Sequence, residues 1–416
     1  HLSLRAKPPK ISPMPADFKK LLYARFFFTF AVQMQAVVLG WRIYNLLRDP
    51  LYLGFIGLAE AVPAIGLALY AGYIVDRSRP LLIYRRVIFI SLLSGLVVLA
   101  EHFLEDHIHL SYQVALLYSA SFLTGTARSF SQPAIFASVP RLVPKQQLMA
   151  ATALQTSAMQ VARIAGPAFG GLVFGFWGPV AASSIICILL LGGVIAMLAI
   201  RTELSAPAST GQHQSIQEEL LSGGRFVFRH PLLLPALSLD MISVLFGGVT
   251  ALLPIFAEEI LFVGPKGLGA LRAAPAVGAA LMSFYLSRTN SMRTGKWLLS
   301  SVAAFGLCIL IFGLSKNFYL SLTALALSGA FDSISAVIRS LAVQLLSPEH
   351  MRGKISAINS IFIGSSNEIG ELESGLAAKL LGTVPAVYFG GLMCLLTVGA
   401  VSYFSPALRR MKLEIS

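Results

Sequence analysis

The sequence predicts an all-α membrane protein whose twelve transmembrane helices form two pseudo-symmetric six-helix bundles. Three observations carry this expectation: a composition no water-soluble surface allows, a dozen apolar runs of spanning length, and an internal repeat relating the second half of the chain to the first.

Of the 416 residues, 56% are hydrophobic and 12% charged, with a mean hydropathy of +0.74. A soluble chain of this size needs more charge to clothe its exterior, whereas lipid removes that need. The net charge of +13 does not indicate nucleic acid, because basic residues gather in alternate loops rather than along one face. Cys187, Cys308 and Cys394 all fall inside apolar runs, so no disulfide framework or metal-ligand spacing is expected. The first residues are basic and proline-rich, without the apolar core of a cleavable signal peptide.

Apolar runs lie at about 21–47, 52–75, 84–104, 112–139, 148–176 and 179–200, then at 232–260, 267–287, 297–315, 317–346, 354–381 and 384–405. Several exceed the roughly 20 residues that cross hydrocarbon, which implies tilt. Of the 32 Lys and Arg residues, 23 fall on the side that would hold both termini, four on the other, and five within spans. The positive-inside rule therefore places both termini in the cytoplasm of a bacterial inner membrane. Residues 1–200 form the first expected bundle and 231–416 the second. The segment 201–230 links them, either as a plain linker or with an amphipathic helix over 217–229.

The repeat supports this division. At an offset of 212, Gly57, Ala61, Pro63, Gly66 and Tyr73 meet identical residues at Gly269, Ala273, Pro275, Gly278 and Tyr285. At an offset of 204, Gly125, Ser129, Ser131, Gly166 and Gly171 meet Gly329, Ser333, Ser335, Gly370 and Gly375. Each span keeps its direction, so the halves are related by an axis along the membrane normal, with the binding site expected between them near mid-bilayer.

Charges inside the bilayer are costly and mark function. Glu60 occupies the repeat position of Arg272, and Arg128 that of Asp332, so opposite charges can neutralise each other across the interface. With spans one, four, seven and ten lining the cavity, Gln33, Gln35, Arg42, Arg128, Asp332 and Arg339 are the expected cavity residues. Asp332, Asp240, Arg128 and Glu60 are candidates for proton coupling. Asp332 and Arg339, seven apart, share a helical face, and either proton carriage or a structural ion pair suits them. In span eleven Glu368 and Glu371 share a face and suit a gate better than a metal site, which would want His or Cys company.

Two short motifs carry a family resemblance. Gly72-Tyr-Ile-Val-Asp76-Arg77 resembles the loop signature of the major facilitator superfamily, in which Asp and Arg clamp neighbouring helices, and Gly166-Pro167-Ala-Phe-Gly170-Gly171 resembles its antiporter motif. Arg128 with Gln132 is similar to a fourth-span motif linked to proton coupling. The longer runs Pro140–Pro144 through Ala162–Pro167, Arg225–Pro231, Leu271–Gly278 and Met351–Glu371 resemble the drug:proton antiporter branch that contains the enterobactin exporter and macrolide efflux pumps. The resemblance implies proton-driven efflux of an amphipathic small molecule such as a siderophore or drug. A monomer in the bilayer is expected, gated through Gly72, Asp76, Arg77, Arg163, Gly166 and Pro167, with no cofactor beyond the proton gradient and no nucleic acid partner. An importer or lipid flippase, or a non-transporting receptor or scaffold, remains the alternative on the same scaffold. No nucleophile and base, phosphate loop or metal cluster points to an enzyme.

Overall fold

The computed structural model describes residues 14–202, 204, 224–286, 288, 294–348 and 351–411, which are almost entirely helical. The first half comprises α1 (Ala16–Leu47), α2 (Pro50–Gly66), α3 (Ala68–Arg77), α4 (Pro80–Leu104), α5 (Leu110–Leu142) and α6 (Leu148–Leu198). The second begins with α7 (224–229), α8 (Leu233–Gly247) and α9 (Leu253–Ile255), the last running into a π-turn over Phe256–Ile260. It continues through α10 (Gly264–Leu286), α11 (Gly295–Leu314), α12 (Phe318–Leu346), α13 (Arg352–Leu381), α14 (Thr383–Phe404) and α15 (Pro406–Arg410).

These helices make twelve crossings. The second is interrupted at Leu67, just past Pro63, so α2 and α3 form it together. Helix α6 holds two crossings joined at Gly178, whose φ of 83° is open to glycine and closed to most side chains. Among the described residues, eight helical stretches are apolar and long enough to span on composition alone, α6 counting once among them. The remaining crossings fall short for visible reasons: α2–α3 is broken, α5 is rich in Ser and Thr around Arg128, and α13 carries three glutamates. An even number of crossings puts the outer ends of α1 and α14 on one face, the terminal face; the other is the distal face.

Small residues set how the halves meet. Along α6 and α10, a Cβ added to Gly171 would lie 2.7 Å from Gly269 Cα. Along α2 and α13, a Cβ added to Gly375 would lie 2.9 Å from Gly54 Cα. Only glycine allows backbones this close. Gly375 is the repeat partner of Gly171, so the two crossings are copies of one another in opposite halves.

Core packing follows the same asymmetry. One buried cluster runs from the first half, through Met34, Ile43 and Leu190, into the distal part of the second, through Phe256, Leu271 and Phe312. A separate cluster, with Val227, Leu237, Leu298, Ile338 and Leu408, fills the terminal part of the second half. The halves thus share a core near the distal face and part company toward the terminal face. Of the amphipathic helix expected over 217–229, residues 217–223 lie outside the described residues. The remainder is α7, which buries Val227 against the second half.

Candidate functional site

Where the two halves part, they enclose a cavity of about 700 Å³. Helix α1 contributes a stripe at helical spacing: Arg25, Phe28, Thr29, Val32, Ala36, Leu39 and Gly40. Pairs four residues apart bring Arg128 and Gln132 of α5, and Asn367 and Glu371 of α13, to the same wall. Glu60 of α2, Arg163 of α6 and Arg272 of α10 complete the charged lining, while Ile56, Met159, Pro254 and Ile363 make it apolar in part. Four arginines face two glutamates, leaving a local excess of two positive charges if all are ionised.

These charges are unevenly satisfied. Arg128 and Glu60 form an ion pair between α5 and α2. Arg25 Nη2 donates to Gln132 Oε1 at 3.1 Å. Arg272 reaches from the second half toward the first, so that a Cβ on Gly40 would lie 3.9 Å from its Nη2. It sits in the electrostatic field of Glu371 and Glu60, yet its Nε is buried without a hydrogen-bond partner.

The expected site residues distribute as follows. Gln33, Arg128, Glu60, Arg163 and Glu371 line the cavity. Gln35 lies at its edge, with its amide donating to Ser94 Oγ at 2.7 Å and Thr124 Oγ1 at 3.2 Å inside the first half. Arg42, Asp332 and Arg339, expected on the wall, are not among the lining residues, which corrects the assignment by span number. Arg42 lies seven residues past Gln35, follows the same inward face, and meets Glu101 at 2.9 Å together with Glu105. Arg339 pairs with Asp240 at 2.6 Å between α12 and α8, with Asp332 in the same electrostatic cluster. Buried charge is costly unless matched, and these helices match it locally rather than into the cavity.

The antiporter-like glycine motif packs α6 onto α1: Cβ atoms on Gly166 and Gly170 would lie 3.0 Å from Phe30 O and Met34 Cα. Pro167 directs its carbonyl at Gly269 across the interface. Gly72 and Arg77 lie on α3, where the Arg77 guanidinium stacks on Tyr73 at 3.9 Å. The side chains of Asp76 and Glu368 lie outside the described residues.

Sequence reasoning missed the distal closure. Tyr44 of α1 donates to Glu259, Arg48 lies 3.4 Å from Glu258, and Lys379 of α13 pairs with Asp49. Lys266 Nζ stands 3.4 Å over the Phe176 ring. These contacts bridge the halves beyond the cavity. A further hydrogen bond, Gln160 Nε2 to Ala276 O at 3.4 Å, lies at mid-depth. The available signal was the Glu258-Glu259 doublet at the end of one span facing Arg48 at the end of another.

Comparison with known proteins adds three findings. The family described as transmembrane secretion effector matches residues 10–415. The enterobactin exporter EntS of Escherichia coli O1:K1 / APEC is 27% identical over 272 residues. That match covers 64% of this chain and 63% of the relative, just under two thirds of the relative's length. EntS of Shigella boydii serotype 18 matches to the same extent. Among solved structures, a bacterial homologue of the iron transporter ferroportin in an inward-facing state superposes with a TM-score of 0.70 at 14% identity, over 94% of this chain and 98% of that one. The POT family transporter PepTSo gives 0.72 at 12%, over 96% and 99%.

Proposed function

Since the chain belongs to the transmembrane secretion effector family of major facilitator transporters, we propose that it is a proton-coupled exporter of an amphipathic small molecule, such as a siderophore or drug, working by alternating access. It is a multi-pass membrane transporter and not an enzyme. The observation that carries the mechanism is the charged cavity between the halves, closed beyond its distal end by ion pairs and glycine crossings. Ion pairs part at small cost, and opening must also separate the apolar core that the halves share near the distal face. The matched exporter EntS supports outward transport of a siderophore-like cargo.

In this reading both termini lie in the cytoplasm of a bacterial inner membrane, as the excess of Lys and Arg on the terminal face supports. The cavity then faces the cytoplasm while the distal gate is shut, and the halves rock to reverse this. Proton exchange is assigned to the cluster of Asp332, Asp240 and Arg339, where two carboxylates share one guanidinium. Protonating one carboxyl leaves a neutral cluster, which biases the packing of α12 on α8. Glu60 and Arg128 couple that change to the cargo.

The test uses everted vesicles energised to acidify the lumen, challenged with siderophores and amphipathic drugs in turn. Release of lumenal protons on adding cargo, lost in Asp332→Asn, is the expected result. No release across the panel, from protein shown to be folded, contradicts proton-coupled export.

A further inference from the structure

Arg272 differs from Arg42, Arg128 and Arg339, three of the other arginines placed inside the spans. Arg42 and Arg339 each hold a carboxylate, at 2.9 Å and 2.6 Å, and Arg128 pairs with Glu60. Among the described residues, Arg272 makes no hydrogen bond or ion pair, although Glu371 and Glu60 both lie within electrostatic reach. A guanidinium with a buried, unpartnered N–H is costly to maintain, and a visiting acceptor would offset that cost. Its planar fork is shaped for a group presenting two oxygens side by side.

The surroundings say what that group is attached to. Arg163 and Arg128 line the same cavity, so its charge balance favours an anion, and Glu60 is already engaged by Arg128. Phe28, Met159, Pro254 and Ile363 offer apolar surface within the same wall. A volume of about 700 Å³ suits an organic molecule rather than an inorganic ion.

We infer that Arg272 is the binding centre for the charged end of an amphipathic organic anion, and that Glu371 is the resident counter-charge the anion displaces. The inference rests on the export reading only in taking the cavity as the cargo site. It adds a substrate class and the residue that selects it. Arrival of the anion releases Glu371 from the field of Arg272, so occupancy is felt on α13, the helix that carries both Gly375 and Lys379 of the distal closure.

The experiment is calorimetric titration of the purified full chain with three matched probes: 2-naphthoate, its uncharged methyl ester, and 2-naphthylmethylammonium. Naphthoate is expected to bind, and the other two at least about tenfold more weakly. Arg272→Gln should weaken naphthoate by roughly 10- to 100-fold and Arg272→Lys by less, since charge survives without the fork. Glu371→Gln should tighten naphthoate several-fold by removing the competitor. Equal or tighter binding of the ammonium, no binding of naphthoate, or indifference to Arg272→Gln overturns the inference. Should both Arg272 variants fail to fold, Glu371→Gln decides: tightening supports the inference and no change overturns it. Competition by dihexanoyl phosphatidylglycerol assigns the anion to a lipid, and its absence to a soluble compound; both keep the anion site. Vesicle flux of a cargo without anion binding sinks this inference alone. Anion binding without any flux sinks the export reading alone.

Discussion

Lys379 on α13 and Asp49 at the corner between α1 and α2 form an ion pair that ties one half of the protein to the other beyond the central cavity. Asp49 also caps α2, accepting from the Leu51 N–H at 3.0 Å. One carboxylate therefore both starts a helix and closes a gate, so opening the distal face frees Lys379 without dissolving the helix that Asp49 caps.

Exposed ion pairs contribute roughly 0–1 kcal/mol. Lys379→Ala is thus expected to raise the distal-open population by at most about fivefold. Spin labels on the α1–α2 corner and the end of α13 report that population by pulsed dipolar spectroscopy. A distance distribution identical to the parent would show that the pair does not hold the gate.

The same pair sets a pH expectation. Burial raises the Asp49 carboxyl, but hydrogen bonds from Lys379 and the Leu51 N–H, with the Lys379 charge, outweigh it and hold the group below its usual 3.8. A depressed acid contributes above its ordinary value and stops contributing only as pH falls through the lowered one. Between about pH 5 and 8 the Asp49 carboxylate therefore stays ionised, and any pH response of the protein in that window is expected to survive Asp49→Asn. Its disappearance in that variant would place the sensor at this gate.

Gly171→Val tests the glycine crossing. Even the first added carbon would lie 2.5 Å from Pro265 O. Overpacking of this kind costs about 1–3 kcal/mol. The distal-closed form is expected to lose population and the midpoint of thermal unfolding to fall. Unchanged crosslinking between labels on α6 and α10 would show that the helices have room to spare.

The Asp240–Arg339 pair is about 6% exposed on each side. Arg339→Ala strands Asp240 and Asp332 together without a counter-charge and is expected to cost roughly 3–5 kcal/mol. The double variant Arg339→Ala with Asp240→Ala should recover part of that, because one unmatched carboxylate, Asp332, remains in place of two. Thermal unfolding of the set measures both effects, and equal destabilisation by the single and double variants would show packing rather than charge at work.

A charge swap addresses Glu60 and Arg128. Either single reversal, Glu60→Arg or Arg128→Glu, places like charges together and should abolish cargo flux in vesicles. The two reversals combined should restore part of it. Failure of the double variant, shown to be folded, would mean that one of the two contacts cargo directly.

Composition, span lengths and the repeat made the architecture legible because lipid imposes one-dimensional rules: a crossing must be apolar, and a duplicated half must keep its glycines. Gly171 and Gly375 illustrate this, since their shared repeat position becomes a shared contact. Side-chain direction within a span obeys no such rule. Gln33 and Gln35 are two apart and both border the cavity, but Gln35 turns its amide to Ser94 and Thr124 inside the first half. Arg42 sits on an expected cavity-lining span but finds Glu101. Arg272, read only as the repeat partner of Glu60, proved to be on the wall. Beyond the Glu258-Glu259 doublet opposite Arg48, the distal gate was illegible because it joins residues such as Asp49 and Lys379 that no periodicity relates.

Locking the gate tests alternating access most directly. Tyr44 of α1 donates to Glu259 at the end of the crossing that contains α8 and α9, which brings the two halves together there. Cysteines introduced at Tyr44 and Glu259 can be bridged by a short bifunctional reagent with a reducible linker, and cargo flux followed in vesicles before and after reduction. Transport that stops on crosslinking and returns on reduction is the predicted result. Undiminished flux through fully crosslinked protein would contradict it, because cargo would then be crossing without the distal face ever opening.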